Sequence, residues 1–310
     1  MESKDFYVEN PLGEIIKCNL PGKFKKKYEL KKDKQFILDV AVVGDKVDYR
    51  LNKDSSGTIV KIFERRNYLS RKAPRMKGAS FRGERLEQLI AANLDNIVIV
   101  NSIKEPRFNN RLLDRIIVAG ESSKVNVLIL INKIDLDITK KYEKWVNLYS
   151  KIGYKVFPIS IISDKGLDNL KIKLHDSVSL FWGQSGVGKS SLLNKLYPTL
   201  DLKTGSISRS SKKGIHTTVT VSMEKVDKET YVIDTPGMRE IDPYGIKKTD
   251  LGHYFLDFQS YLNNCRFNSC IHQHEPECDI NKLVSEGKIS TERYKSYLNL
   301  LETVEEDIIF

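Results

Sequence analysis

Residues 181–191 read FWGQSGVGKSS, and within them Gly183, Gly188, Lys189 and Ser190 meet the spacing G-x-x-x-x-G-K-[ST], with Gly186 as an extra glycine. The apolar VSLFW before the loop predicts a strand, and SSLLNKL after it predicts a helix. In that setting the backbone N–H groups of Gln184, Ser185, Gly186, Val187 and Gly188 turn inward around phosphate oxygens, and the helix N-terminus, with Ser191 in its first turn, adds partial positive charge. Lys189 is placed to reach the β- and γ-phosphates, and the Ser190 hydroxyl to ligate Mg²⁺.

Working outward, NIVIVNSI, VNVLILINK, YKVFPIS and ETYVIDTPG are further apolar runs of the kind that buried parallel strands require. Helix-like stretches such as NNRLLDRIIVAGES and KKYEKWVNLYSKI lie between them, so residues 86–245 predict a doubly wound α/β domain. Asp234 ends one of these runs in Asp234-Thr235-Pro236-Gly237, where the carboxylate suits the Mg²⁺ shell and the Gly237 amide a γ-phosphate. Another run ends in Asn132-Lys133-Ile134-Asp135. A carboxylate at Asp135 accepts from N1–H and the exocyclic amine of guanine, whereas adenine presents a different edge. Asn132 bonds other groups around the base and ties loops together, and Lys133 lays its aliphatic stem against the ring. Ser160 opens SIIS after the next run, where a backbone amide would meet the guanine oxygen. GTP, bound with Mg²⁺ and turned over to GDP, is therefore the expected nucleotide.

The base-reading segment precedes the phosphate loop in the chain, a circular permutation of the usual GTPase order. Permutation is tolerated because domain termini often lie close together. One consequence is that the chain leaving DTPG runs straight into a cysteine-rich region, which suggests covalent transmission of nucleotide state to that appendage. After the DTPG glycine, where many GTPases carry a water-orienting Gln, stands Met238. His216, in Gly214-Ile215-His216-Thr217-Thr218, is the expected substitute, and Thr218, with Thr217 as the alternative, the expected further Mg²⁺ ligand.

Cys265, Cys270, His272 and Cys278 supply three thiolates and an imidazole, enough for a closed structural zinc site, with His274 as an alternative nitrogen ligand. Helical segments follow, so 246–310 predicts a zinc-binding, mostly helical domain. At the other end, short β-type runs between residues 13 and 66 predict a five-stranded barrel of oligonucleotide-binding type over 1–70, followed by a basic linker at 71–85. The net charge of +10 is concentrated there. Residues 1–80 hold 19 Lys and Arg against 11 Asp and Glu, a net of +8 that suits a polyanion such as RNA. Lys25, Lys26, Lys27, Lys31, Arg65, Arg66, Arg71 and Arg75 are the candidate phosphate contacts, and Tyr28, Phe36, Tyr49 and Phe63 candidate stacking rings. No leader-like N-terminus and no membrane-spanning apolar run is present, which predicts a cytoplasmic protein.

Permuted order, GQSGVGKSS, G-x-HTT, DTPG and Cys-x4-Cys-x-His-x5-Cys together resemble the ribosome small-subunit-dependent GTPase A family over nearly the whole chain. The resemblance implies a multi-domain fold: an N-terminal oligonucleotide-binding barrel, a circularly permuted P-loop GTPase domain and a C-terminal zinc-binding domain. It also implies a GTPase that acts in late maturation of the small (30S) ribosomal subunit, on its 16S rRNA, as a monomer stimulated by that subunit. His216 would be the catalytic histidine, with Lys189 and Thr218 beside it, and Cys265, Cys270, His272 and Cys278 the zinc ligands. Ile215 departs from the pattern, since family members often carry Arg before the His, and the N-terminal extension is short. A nucleotide-dependent RNA-binding switch with little turnover is the alternative.

Overall fold

A computed structural model describes residues 5–22, 40–73, 87–202, 221–235 and 241–304. The chain divides into two units, one ending at Asn93 and the other beginning at Leu94.

The first unit holds β1 (Phe6–Glu9), β2 (Ile15–Asn19), β3 (Val47–Leu51), β4 (Gly57–Ile62), β5 (Tyr68–Lys72) and β6 (Glu87–Ala92). The first four form one sheet in the order β1-β2-β4-β3, and β5 pairs antiparallel with β6. Alternation sets the faces: Cys18 and Ile59 are buried while Lys17 and Val60 face out. These short strands agree with an oligonucleotide-binding type of domain. The expected strand KKYELKK lies outside the described residues, as do residues 35–39 of QFILDVAV. The expected linker at 71–85 begins within β5, because Arg71 and Lys72 pair with Gln88 and Glu87, and its residues 74–85 lie outside the described set.

Arg65 carries a finding that its position in the sequence does not announce. Its guanidinium grips both carboxylate oxygens of Asp45, at 2.6 and 2.8 Å, and donates to the Val40 carbonyl at 2.8 Å. This charge serves the unit's own packing. Of the other candidate RNA contacts, Lys25, Lys26, Lys27, Lys31, Arg75, Tyr28 and Phe36 lie outside the described residues, while Phe63 is exposed beneath the Lys61 ammonium, 4.2 Å from its ring centre.

The second unit is built on a six-stranded sheet in the order β11-β12-β10-β7-β8-β9. Its strands are β7 (Asn96–Ser102), β8 (Asn126–Asn132), β9 (Lys155–Pro158), β10 (Val178–Gly183), β11 (Ser222–Asp227) and β12 (Thr230–Asp234). All run parallel except β11, an antiparallel edge strand. Helices α1 (Asn110–Ser122), α2 (Tyr142–Ile152), α3 (Leu167–Leu174) and α4 (Lys189–Leu196) follow β7, β8, β9 and β10 in turn. The sheet is apolar on both faces, as its continuous hydrophobic runs require. Val98, Val100, Leu128, Leu130 and Phe181 pack under α3 and α4. Ile97, Ile99, Ile129 and Ile131 fill the opposite face, where Gly120 lets α1 lie close: a Cβ there would come within 2.7 Å of Val127 Cγ2 and 3.0 Å of Ile97 Cγ2.

On its far side α1 meets the C-terminal segment, which comprises α5 (Leu256–Gln259), α6 (Asp279–Ser285) and α7 (Thr291–Thr303). Val118 of α1 joins a core with Phe255, Phe258, Tyr297, Leu300 and the three clustered cysteines. Arg293 of α7 is 1% exposed and bonds Asp114 of α1 and Asp257 of α5, the latter at 2.7 Å, while the Tyr149 hydroxyl donates to Asp114 at 2.8 Å. Four helices thus share one buried, hydrogen-bonded cluster, with Tyr149 supplied by α2. Among the described residues no helix is long and apolar enough to cross a membrane.

Candidate nucleotide site and metal centre

Because five strands run parallel, their C-terminal ends share one edge, the place where open α/β sheets bind ligands. Asp234 ends β12, Gly183 ends β10 and Asn132 ends β8. Sequence separation is thereby cancelled by strand order, since β10 and β8 flank β7.

The phosphate loop leaves β10 and enters α4 at Lys189. Gly188 has φ +94°, and a Cβ there would stand 2.6 Å from Asn132 Nδ2 and 3.4 Å from Ile161 Cδ1, so the position requires glycine twice over. Lys189 Nζ lies 2.5 Å from Asp234 Oδ1 and donates to the Thr235 carbonyl at 3.0 Å. The Thr235 hydroxyl in turn donates to the Phe181 carbonyl at 2.9 Å, tying the start of DTPG to β10.

The base-reading segment is fastened to the phosphate loop by two bonds. Asn132 Nδ2 donates to the Val187 carbonyl at 2.8 Å, and Lys133 Nζ donates to the Gly186 carbonyl at 2.8 Å and to the Glu105 carbonyl. Asn132 Oδ1 is buried and has no hydrogen-bond partner among the described residues. Lys133 takes a left-handed conformation, φ 61°, and turns the chain into a one-turn 3-10 helix, Ile134–Leu136, that presents Asp135. The Ser160 hydroxyl donates to Asp135 Oδ1. The Ser160 backbone N–H is given to the Lys165 carbonyl at 3.1 Å, so it is the Ser160 hydroxyl and not its amide that faces Asp135. His216, Thr217, Thr218, Gly237 and Met238 lie outside the described residues.

The second cluster lies in the C-terminal segment. Cys265, Cys270, His272 and Cys278 are all buried, and their ligand atoms lie within 4.8 Å of one another. His272 Nδ1 stands 3.6 Å from Cys265 Sγ and 3.5 Å from Cys278 Sγ, and those two sulfurs are 3.9 Å apart. His274 is exposed and outside the group, which decides between the two candidate nitrogens. All four cysteines are free thiols. Burial pushes the Cys270 thiol up to about 12, an environment that only a cation makes tolerable for thiolate. The surrounding shell is ordered: Glu275 accepts from the backbone N–H groups of Ile271, Gln273 and His274, and the Tyr294 and Tyr297 hydroxyls donate to the His272 and Ile271 carbonyls, each at 2.8 Å. Such support fits a group that holds a metal ion.

Comparison with known proteins agrees with this geometry. The family model described as RsgA GTPase matches residues 62–244. A "Small ribosomal subunit biogenesis GTPase RsgA" of Caldanaerobacter subterraneus subsp. tengcongensis is 38% identical over 301 residues, covering 97% of this chain and 92% of the relative. The protein of the same name from Bacteroides fragilis is 35% identical over 97% of this chain and 94% of its own length. Among solved structures, YjeQ from Thermotoga maritima superposes with a TM-score of 0.73 at 31% identity, over 96% of this chain and 94% of that one. YloQ, described as a circularly permuted GTPase, superposes with a TM-score of 0.67 at 29% identity, over 96% and 90%. On sequence, fold and site alike, the chain belongs to the RsgA GTPase family and is a GTP hydrolase with a circularly permuted nucleotide-binding domain.

Proposed function

We propose that this GTPase acts in late maturation of the small ribosomal subunit, hydrolysing GTP to GDP and phosphate in response to that subunit. The support is threefold: the relatives are named as GTPases of small ribosomal subunit biogenesis, the chain matches them nearly end to end, and the positive charge is concentrated in an N-terminal unit of nucleic-acid-binding type. In this reading that unit meets 16S rRNA, and the protein works as a cytoplasmic monomer.

In the catalytic domain, Asp135 accepts from N1–H and the exocyclic amine of guanine, and the Asn132 amide, which gives one hydrogen to Val187, has a second for the base. The Ile161 amide, next after Ser160, meets the guanine oxygen. Backbone N–H groups from Gly183 to Gly188 and the first turn of α4 enclose the phosphates, and Lys189 offsets charge on the β- and γ-groups. Ser190, Asp234 and Thr218 would hold Mg²⁺, which would supply neutralisation of charge on the transferred phosphoryl group. His216 orients the attacking water that Met238 cannot, and the Gly237 amide contacts the γ-phosphate.

In the C-terminal domain Cys265, Cys270, His272 and Cys278 would hold zinc, as three thiols and an imidazole suit that ion. A tetrahedral zinc with Zn–S near 2.3 Å sets its sulfurs about 3.8 Å apart, against 3.9 Å between Cys265 and Cys278. With all four positions taken by protein, the role is structural. The observation that carries the functional reading is the pair of bonds from Asn132 and Lys133 to the phosphate loop, which unites both halves of a guanine-nucleotide site. The test is GTP hydrolysis with and without purified small ribosomal subunits, with Lys189→Ala as control. Stimulation abolished by the substitution supports it; turnover indifferent to the subunits favours a binding switch instead.

A further inference from the structure

Three consecutive residues after β7 each bond to the base-reading segment. The Ile103 N–H donates to the Asn132 carbonyl at 3.0 Å, Lys104 Nζ donates to the Leu136 carbonyl at 2.8 Å, and the Glu105 carbonyl accepts from Lys133 Nζ. The first bond continues the β7–β8 ladder by one step beyond the Ser102–Asn132 pair. The other two reach the turn itself. Pro106 completes the run: its Cδ comes within 3.7 Å of where a Gly186 Cβ would stand. Residues 103–106 therefore lie as a splint along Asn132–Leu136 and against the phosphate loop.

Lys104 has a particular place in that splint. The turn that presents Asp135 is a 3-10 helix of only three residues, Ile134–Leu136, entered through a left-handed lysine. So short a helix leaves its last carbonyls without helical partners, and it has little hydrogen bonding of its own to resist unwinding. A cation at that C-terminal end both satisfies a carbonyl and opposes the local dipole. Asp135 is thus restrained from two sides, by the Ser160 hydroxyl on its carboxylate and by Lys104 on the carbonyl of the next residue.

We propose that Lys104 is a positioning residue for guanine selection, holding the Leu136 carbonyl so that the Asp135 carboxylate stays aimed at the N1 and exocyclic-amine edge of the base. This rests on Asp135 reading guanine. A lysine that merely decorated the surface would affect stability or all nucleotides alike. A lysine acting through Asp135 affects the discrimination between bases that differ at the edge Asp135 reads.

The test measures binding of GDP and of inosine diphosphate, which lacks the exocyclic amine, to the full-length protein by calorimetry. The readout is the ratio of their dissociation constants. Lys104→Met keeps the aliphatic stem and removes the donor, and should lower the preference for GDP roughly three- to tenfold, the scale of one ordinary hydrogen bond. Lys104→Arg keeps a donor and should restore the ratio to within about twofold of wild type. Asp135→Asn is the control for the underlying reading. If Asp135→Asn collapses the ratio while Lys104→Met leaves it intact, or weakens both nucleotides equally, Lys104 has no positioning role. If Lys104→Arg fails to restore the ratio, the donor is not what matters, and the proposal is overturned. A wild-type ratio in Asp135→Asn removes the base-reading assignment and this inference with it.

Discussion

Asn132 and Val187 stand 55 positions apart in the chain, yet the buried amide of one donates to the carbonyl of the other at 2.8 Å. That bond, with Lys133 to Gly186, ties the segment 132–135 proposed to read the base to the loop proposed to hold its phosphates. Truncating Asn132 removes the tie and leaves a buried carbonyl without its donor, a loss of about 1–3 kcal/mol. Asn132→Ala should therefore weaken GDP binding by roughly tenfold or more. Titration calorimetry checks this, and wild-type affinity would mean the loops hold their spacing without it.

The segment around Cys265, Cys270, His272 and Cys278 should lose support on acidification. Burial alone would push the Glu275 carboxyl up, but backbone N–H donors from Ile271, Gln273 and His274 outweigh it and hold the group below its usual value. A carboxyl depressed in the folded state stabilises above its unfolded pKa, and that contribution fades as pH falls through the folded value. Wild-type protein should lose more thermal stability than Glu275→Gln on going from pH 7 to below about pH 4. Parallel melting curves across that range would contradict it.

Arg293 is a buried charge whose two carboxylate partners sit on different helices. Arg293→Met leaves Asp114 and Asp257 without their counter-ion, and removing one partner of a buried pair typically costs about 3–5 kcal/mol. Urea unfolding should register that loss. A cost below about 1 kcal/mol would show that the cluster is solvated or redundant.

His216→Ala should lower GTP turnover sharply while nucleotide affinity stays near wild type, since the proposed role is to orient water and not to bind. Single-turnover hydrolysis alongside GDP binding separates the two effects. Unchanged turnover would remove the histidine from the mechanism.

What the sequence discloses here follows the range of the interactions involved. The phosphate loop, N-K-x-D and DTPG are short patterns whose chemistry depends on neighbours in the chain, and their strand settings are explicit in the apolar runs before them. The Cys265, Cys270 and Cys278 cluster is legible from spacing, although the placing of His272 and not His274 beside it needs the fold. Long-range partnerships are not legible. Arg65 looks like any basic surface residue until Asp45 is seen against it, 20 positions away. The β5–β6 pairing joins residues on either side of a basic stretch without alternation, which local patterning reads as linker. Ser160 is found by its place after β9, but the use of its hydroxyl in preference to its amide depends on Lys165 taking up the amide. Lys104 gives no signal at all, since a lysine in a loop carries no pattern.

The central claim is that two segments written in reversed order grip one guanine nucleotide, with Asp135 at the base. Asp135→Asn exchanges a pure acceptor for a group that also donates, so the preferred base should change from guanine to xanthine, whose exocyclic oxygen replaces the amine. Competitive binding of GDP and xanthosine diphosphate to wild type and variant measures this directly. Reversal of preference in the variant is the predicted result. An unaltered preference for GDP would place Asp135 away from the base and contradict the account.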